Sequence, residues 1–214
     1  MARACFVFIF LILCSLTRTS ATSPPGIRWT RGYTNGACEA HNHAGVQTSD
    51  GGFFLVGDGE CYDTPKNFTR QITAAKVDHA GNEEWMTNIG TVGFNYGKFG
   101  IELADRTFLV AGSLSENVAN VTIEKRALIR LSAGGKVLRT QTFPSTQTGR
   151  LDGLMGLAIA GPNLVVATGY VGGIAGYPDQ PAFLIQVSVK GAAGAVTVER
   201  PCFACSPKNQ PWRT

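Results

Sequence analysis

The sequence predicts an all-β fold, and three observations support this prediction. A block of about 55 residues occurs three times, because Phe54-Leu55-Val56-Gly57 has counterparts at Phe108-Leu109-Val110-Ala111 and at Leu164-Val165-Val166-Ala167. Each block contains four short apolar runs separated by turn residues. No segment after the N-terminal leader has the sustained 3.6-residue apolar spacing of a helix. A repeat of this period is typical of propellers, solenoids and arrays, and four antiparallel strands make one blade of a β-propeller.

Two further sets of matches follow nearly the same spacing. Gly45-Val46 corresponds to Gly100-Ile101 and Gly156-Leu157, and residues 74–78 correspond to 127–131 and 183–187. The spacing between matching residues stays between 53 and 56 in all three sets. This regular spacing indicates an internal repeat.

The first block shows how each element is predicted. Its apolar runs at about 44–48, 53–56, 73–77 and 84–87 have the length of strands. Asp50-Gly51-Gly52 separates the first two runs as a tight hairpin requires, because glycine accepts a positive φ. His79-Ala80-Gly81-Asn82 separates the last two. The matching turns are Ala104-Asp105-Arg106, Ser132-Ala133-Gly134-Gly135 and Gly161-Pro162-Asn163.

The predicted architecture is about three four-stranded antiparallel blades plus one extra N-terminal strand. The repeats span about 41–90, 95–144 and 150–200, within a domain at 22–200 that precedes a cysteine- and proline-containing tail at 201–214. The extra strand is Ile27-Arg28-Trp29-Thr30, which resembles Glu83-Glu84-Trp85-Met86. Closed propellers have four or more blades, so the ring is predicted to be incomplete or open. A shortened product of a longer gene and an open arc both explain the count, and we favour the first.

The first block resembles a known repeat. Lys76-x-Asp78-x-x-Gly81-x-x-x-Trp85, together with Thr48-x-Asp50-Gly51-Gly52-Phe53, is similar to the repeats of secreted propellers of the quinoprotein-dehydrogenase-like (PQQ-like) group. The resemblance covers residues 24 to about 200, is sharp in the first block and fades in the other two. It implies a blade architecture and, by itself, no quinone cofactor.

Residues 1–21 are predicted to be a signal peptide. Arg3 supplies the positive start, residues 6–13 the apolar centre and Thr19-Ser20-Ala21 a small-residue cleavage site. The apolar run is shorter than the roughly 20 residues of a membrane span. We therefore expect a secreted, extracellular protein without a membrane span after removal of the signal.

Charge excludes some classes of partner. Without Arg3 and Arg18 the chain retains 17 basic and 15 acidic side chains. So weak an imbalance argues against a nucleic-acid groove or a patch for anionic membranes.

Four cysteines follow the leader: Cys38, Cys61, Cys202 and Cys205. Disulfides are expected in an exported protein. Cys38 and Cys61 flank the first predicted hairpin at the same end, so we predict that they pair. Cys202 and Cys205 are close enough in sequence to pair locally.

Two sequons predict N-glycosylation at Asn67 and Asn120. Both fall between the second and third predicted strands of their blocks, 53 residues apart. We therefore expect two glycans on the same side of the blades.

Several polar residues suggest chemistry but form no complete site. His41-Asn42-His43 is interpreted as a solvated loop, and the acidic cluster Asp58, Glu60 and Asp63 lacks the donors of a calcium loop. Lys76 is interpreted as an exposed strand charge, Asp78 as a turn cap, and Trp29 and Trp85 as wedges between blades.

The function predicted from the sequence is non-catalytic binding. We find no nucleophile elbow or triad order, and we predict no catalytic residue, metal or cofactor. The partner is expected to be an unknown protein or glycan. The alternatives are a subunit of a quinoprotein-type oxidoreductase and a fragment of a longer protein without a role of its own.

Overall fold

The computed structural model describes eight stretches of the chain, at 26–34, 39–64, 67–90, 93–118, 121–143, 151–173, 182–190 and 195–204. They contain twelve strands: β1 (Glu39–Gln47), β2 (Phe53–Thr64), β3 (Asn67–Val77), β4 (Glu83–Ile89), β5 (Tyr96–Glu102), β6 (Phe108–Val118), β7 (Val121–Leu131), β8 (Val137–Phe143), β9 (Leu151–Gly161), β10 (Leu164–Gly173), β11 (Ala182–Lys190) and β12 (Ala195–Ala204).

The strands form three four-stranded antiparallel sheets in sequence order. Blade 1 is β1 to β4, blade 2 is β5 to β8 and blade 3 is β9 to β12. The predicted all-β, propeller-like and open architecture of three blades is confirmed. In the part of the chain that the structure describes, no helix is long and apolar enough to span a membrane.

The predicted turns are also confirmed. Gly51 has φ 87° between β1 and β2, and Arg106 has φ 63° at the matching place in blade 2. Gly81 and Gly135 both have φ 81° between the third and fourth strands. Glycine fits this left-handed region without a Cβ penalty, which explains why these turns repeat in the sequence.

The blades stack face to face. We call the side of a blade on which the next blade packs its forward face, and the opposite side its rear face. β5 packs across β1, β2 and β3, and β9 packs across β5, β6 and β7. The seam between blades 1 and 2 buries Phe54, Val56, Ile72, Ala74 and Ile89 against Phe108, Val110, Ala127, Ile129 and Leu131.

The second seam has the same design. The forward face of blade 2 contributes Ile101, Leu103, Leu109, Ala111, Leu128 and Phe143, and blade 3 contributes Leu154, Leu157, Val165, Ala167, Ile185, Val187 and Val189. The alternation of side chains along a strand directs successive residues to opposite faces. This is why blade 2, with a neighbour on each side, is apolar on both.

The first strand of each blade (β1, β5 and β9), which we call the inner strand, carries a β-bulge at the same place. The pairing of the first strand with the second shifts by one residue, and the residue left unpaired is His43 in blade 1, Lys98 in blade 2 and Met155 in blade 3. A bulge re-aims the side chain that it carries.

A glycine lies opposite each bulge. A Cβ on Gly57, Gly112 or Gly169 would come within 1.8, 1.8 and 2.0 Å of a carbonyl oxygen of the inner strand. These glycines are 55 and 57 residues apart, so they identify the equivalent positions of the three blades.

The strand register corrects the sequence alignment by one residue. Phe53 pairs with Val77, and Phe108 pairs with Leu131. The equivalent of Phe108 is therefore Phe53, whereas the sequence aligned Phe54 with it. Because both positions are phenylalanine, the sequence alone did not distinguish the two alignments.

Three element predictions are wrong. His41-Asn42-His43 lies within β1 and is not a loop. β2 and β3 run on through the predicted polar loop as a long hairpin that includes Asn67. Residues 27–30 form no strand. Backbone hydrogen bonding extends the hairpin although its sequence has no apolar alternation, because paired strands satisfy their own N–H and C=O groups.

The predicted signal peptide, disulfides and second glycosylation site involve residues outside those that the structure describes. Residues 1–21, Cys38, Asn120 and Cys205 lie there entirely. Cys61 lies in β2 and Cys202 in β12, and their side chains are outside the description. β12 continues to Ala204, four residues past the predicted domain boundary.

Candidate functional site

A cluster of charged and polar side chains lies where blades 1 and 2 meet, at the end of the long hairpins. We call it the polar seam, and it consists of His43, Asp58, Glu60, Arg70, Tyr96 and Lys98. The two bulges contribute His43 and Lys98. The polar halves of β2 and β3 contribute the two carboxylates and Arg70.

Asp58 is the centre of the polar seam. It is 1% exposed, and its Oδ1 lies 2.5 Å from His43 Nε2. Lys98 Nζ lies 3.3 Å from the same imidazole nitrogen and 3.8 Å from Asp58 Oδ1. Arg70 Nε lies 3.6 Å from Asp58 Oδ2, and the Arg70 guanidinium also pairs with Glu60. Buried carboxylates are stable only with such partners.

Tyr96 lies between the two cations of the polar seam. Arg70 Cζ and Lys98 Nζ are each 4.7 Å from the centre of its ring, at cation–π distance. Burial raises the pKa of Tyr96 above its ordinary value. Phe94 stacks beside it at 6.4 Å with an interplanar angle of 8°.

The polar seam joins blades 1 and 2 through paired charges. Its cations and carboxylates neutralise one another inside the contact. In the part of the chain that the structure describes, the hydrogen bonds of His43 go to Asp58 and Lys98 and none goes to a hydroxyl or thiol. No group of three or more His, Cys, Asp or Glu side chains arranged to hold a metal ion occurs among the described residues.

At the opposite end of the blades, buried cations hold the first turns. Lys76 Nζ lies 2.9 Å from Asp50 Oδ2 and 3.2 Å from Glu84 Oε2. Lys76 is 3% exposed, so its prediction as an exposed strand charge is wrong. Arg130 occupies the equivalent position in blade 2 and pairs with Asp105 at 2.5 Å. A buried cation is stable at this place because it is paired with a carboxylate.

The carboxylates of these pairs are acidic for their type. Hydrogen bonds from the Thr48 hydroxyl, the Gly52 amide and Lys76 lower the pKa of Asp50 well below 3.8. Burial raises the pKa of Asp105, but hydrogen bonds from Thr107 and the charge of Arg130 outweigh it and lower the pKa. Asp78 accepts hydrogen bonds from Ala80 N and Asn82 N, which confirms its role as a turn cap.

Trp85 is a wedge between blades 1 and 2, as predicted. Its Nε1 donates a hydrogen bond to Ala133 O at 2.8 Å, and its ring meets Phe108 edge-on at 5.6 Å. The ring also covers Gly135, where a Cβ would be 2.5 Å from it.

Trp29 makes the equivalent ring contacts on blade 1. Its ring meets Phe53 edge-on at 5.8 Å and covers Gly81. Tyr33 adds a hydrogen bond from its hydroxyl to Gly81 O at 2.9 Å. Although residues 26–33 form no strand, they take the place on blade 1 that β4 takes on blade 2.

The rest of the rear face of blade 1 is a groove of about 460 Å³. By strand register, the residues on the wall of this groove are equivalent to residues on the buried rear face of blade 2. In order, Phe53, Leu55, Thr73, Ala75 and Val77 correspond to Phe108, Val110, Ala127, Ile129 and Leu131. The second set is at most 2% exposed. In the first set Ala75 and Val77 are also buried, at 3% and 1%, whereas Phe53, Leu55 and Thr73 are partly exposed. We call the end of blade 1 that carries the turns at Gly51 and Gly81 its turn end. Among the described residues, residues 26–33 cover the turn end of this face, and no strand covers the rest of it. We call the first set the open face.

Sequence reasoning did not find the open face, because its residues read as ordinary alternating strand positions. It did signal the polar seam weakly, through His43, Asp58 and Glu60, but it gave no indication of Arg70, Tyr96 or Lys98 as their partners. Those contacts depend on the bulges and on which blade follows which.

Comparison with known proteins adds no assignment. The chain matches no family model, and no curated protein is similar to it at a significant level.

Proposed function

We propose that the chain is an exported, non-catalytic binding protein whose working surface is the open face of blade 1. The observation that carries the proposal is the equivalence of this face to the rear face of blade 2. One set of side chains is buried by a neighbouring sheet, and the matching set lies in a groove.

The partner that fits is a protein presenting the apolar face of an antiparallel sheet. The open face offers apolar or small side chains and one threonine, arranged with the period of a strand. A groove with partly exposed apolar side chains on its wall is typical of an interaction site. A glycan is the second candidate partner, because Arg31, Tyr33, His41 and Asn42 also line the groove.

Two features of the sequence support export. The leader at 1–21 and the sequons at Asn67 and Asn120 are both expected of a protein that enters the secretory pathway. Asn67 begins β3 at the tip of the long hairpin, away from the turn end where Trp29 packs. A glycan on Asn67 would therefore lie at the end of blade 1 opposite to Trp29.

The test is photo-crosslinking from within the open face. A benzophenone amino acid replaces Leu55 in the full chain, expressed in cells that process its leader, and a matched chain carries the same group at Leu138, an exposed residue of β8. We expect a defined protein adduct from position 55 and none from position 138. Adding Thr73→Arg, which places a charge on the same face, should remove the adduct.

Equal labelling from both positions, or labelling from position 55 that persists with Thr73→Arg, would show that the open face is no specific surface. Turnover of a substrate by the purified chain would contradict the non-catalytic part of the proposal.

A further inference from the structure

We infer that a cleft between blades 2 and 3 binds a carboxylate attached to an apolar group. The cleft encloses about 550 Å³ and lies at the end of the two blades where their first turns meet. It has no lining residue in common with the groove of the open face. The inference is therefore independent of the proposed function.

The cleft combines buried apolar side chains with exposed groups. Leu103, Val165 and Val189 line it and are buried, whereas Ile159 lines it and is 60% exposed. A neighbouring cleft of about 430 Å³ shares Leu103 and Val189 and extends to Arg130. Concave sites of this size, apolar with a few polar groups, are typical of sites for small ligands.

The contact between blades 1 and 2 shows what the equivalent place binds. There Glu102 reaches from β5 to the first turn of blade 1, where its carboxylate accepts hydrogen bonds from Ser49 N at 2.6 Å and Ser49 Oγ at 2.9 Å. By strand register, the residue of blade 3 equivalent to Glu102 is Ile159. Their cross-strand partners are Phe108 and Val165, which both lie four residues before the glycine opposite the bulge. Because isoleucine has no carboxylate, blade 3 cannot repeat this contact.

The turn that would receive the carboxylate is the same in blade 2. Its closing hydrogen bonds, from Leu103 N to Thr107 O and from Arg106 N to Leu103 O, repeat those of the first turn of blade 1. Ala104 therefore has the position of Ser49, and it lines the cleft. In the part of the chain that the structure describes, the Ala104 N–H makes no hydrogen bond. It is placed to donate one to the carboxylate of a ligand.

Arg106 brings a positive charge to the same turn. It has φ 63°, at the position where blade 1 has Gly51 with φ 87°. A residue with a Cβ is strained in this left-handed region, and strain of this kind is concentrated at functional sites. Arg106 also lines the cleft. The strained arginine is explained if its side chain serves a ligand there.

The charges around the cleft favour an anion. The carboxylate of Glu102 is occupied by Ser49, and that of Asp105 is paired with Arg130 at 2.5 Å. Arg106 makes no ion pair with another described residue. A guanidinium and a carboxylate form a charge-assisted hydrogen bond, which is stronger than a neutral one. The ligand is therefore an acid whose apolar part lies along the buried wall of the cleft.

The experiment measures the binding of two matched pairs of probes to the purified protein by isothermal titration calorimetry. One pair is octanoate and 1-octanol, and the other is N-acetyl-leucyl-leucine and its C-terminal amide. We expect the acid of at least one pair to bind at least about 10-fold more tightly than its neutral partner. The pair with the tighter acid distinguishes a free aliphatic acid from the C-terminus of a peptide as the source of the carboxylate.

Two variants test whether binding occurs in this cleft. Arg106→Gly should weaken binding of the acid at least about 10-fold, yet melt no lower than the wild type, because glycine accepts φ 63° without strain. Ile159→Glu should abolish binding, because its own carboxylate would take the Ala104 N–H. Ile159→Leu keeps the side chain apolar and is the matched control, which should bind as the wild type does.

Equal affinity for the acid and the neutral partner in both pairs overturns the inference. Binding of the acid that persists in Ile159→Glu, or that is unchanged in Arg106→Gly, also overturns it. Each of these results leaves the proposed function standing, because the open face is a different surface.

Discussion

Replacing Gly112 by alanine tests the repeated bulge directly. The added Cβ would lie 1.8 Å from Tyr96 O and 2.9 Å from its carbonyl carbon. Both distances are shorter than ordinary contacts, so β5 and β6 must separate by more than 1 Å. Overpacking of this kind costs about 1–3 kcal/mol, and weakening an adjacent backbone hydrogen bond adds about 1 kcal/mol.

The expected loss is therefore about 2–4 kcal/mol. For a chain of this length, each kcal/mol lowers Tm by about 2–4 °C, so Gly112→Ala should melt roughly 5–15 °C below the wild type. Circular dichroism at 218 nm follows the transition. Gly134→Ala is the matched control, because no atom lies within 4 Å of its added Cβ. Equal melting temperatures for the two variants would refute the close approach of the strands.

Three further predictions concern packing and pH. Trp85→Ala should lower the free energy of unfolding in urea by about 2–4 kcal/mol, because it removes the contact with Phe108 and leaves Ala133 O without its donor. A loss below about 1 kcal/mol would show that Trp85 is not a wedge between the blades. Ile129→Ala, at a fully buried site, should cost about 2–5 kcal/mol, whereas Ile159→Ala, at a site 60% exposed, should cost under about 0.5 kcal/mol; similar urea midpoints would contradict the assigned seam. Folding lowers the pKa of Asp50, so the contribution of Asp50 to the free energy of unfolding is present above pH 3.8 and is lost as the pH falls. Asp50→Asn should therefore flatten the decline of the urea midpoint between pH 5 and pH 3. A decline equal to that of the wild type would contradict this prediction.

The sequence predicted the parts of the fold that have a local cause. Gly51, Gly81 and Gly135 fix turns through their own backbone freedom, and each was placed correctly. The apolar runs that follow these turns are strands because they are buried on at least one face. Local chemistry of this kind is visible in a few consecutive residues.

The features that were missed depend on contacts between distant residues. The polar halves of β2 and β3 are strands because their backbones pair across the hairpin, as at Glu60 and Arg70, not because of apolar alternation. Lys76 is buried because Asp50, 26 residues away, supplies its counter-charge. The bulges at His43 and Lys98 shift the register by a single residue, and no composition signal marks them.

The sandwiching of blade 2 has a consequence for how the protein comes apart. Ile129 and Leu128 are adjacent residues of one strand, yet one is sealed by blade 1 and the other by blade 3. Outer blades of a linear stack open first, because each has one neighbour to lose. Amide protons of β6 and β7 should accordingly exchange with solvent last, and the ends of the chain should melt away from a persistent middle.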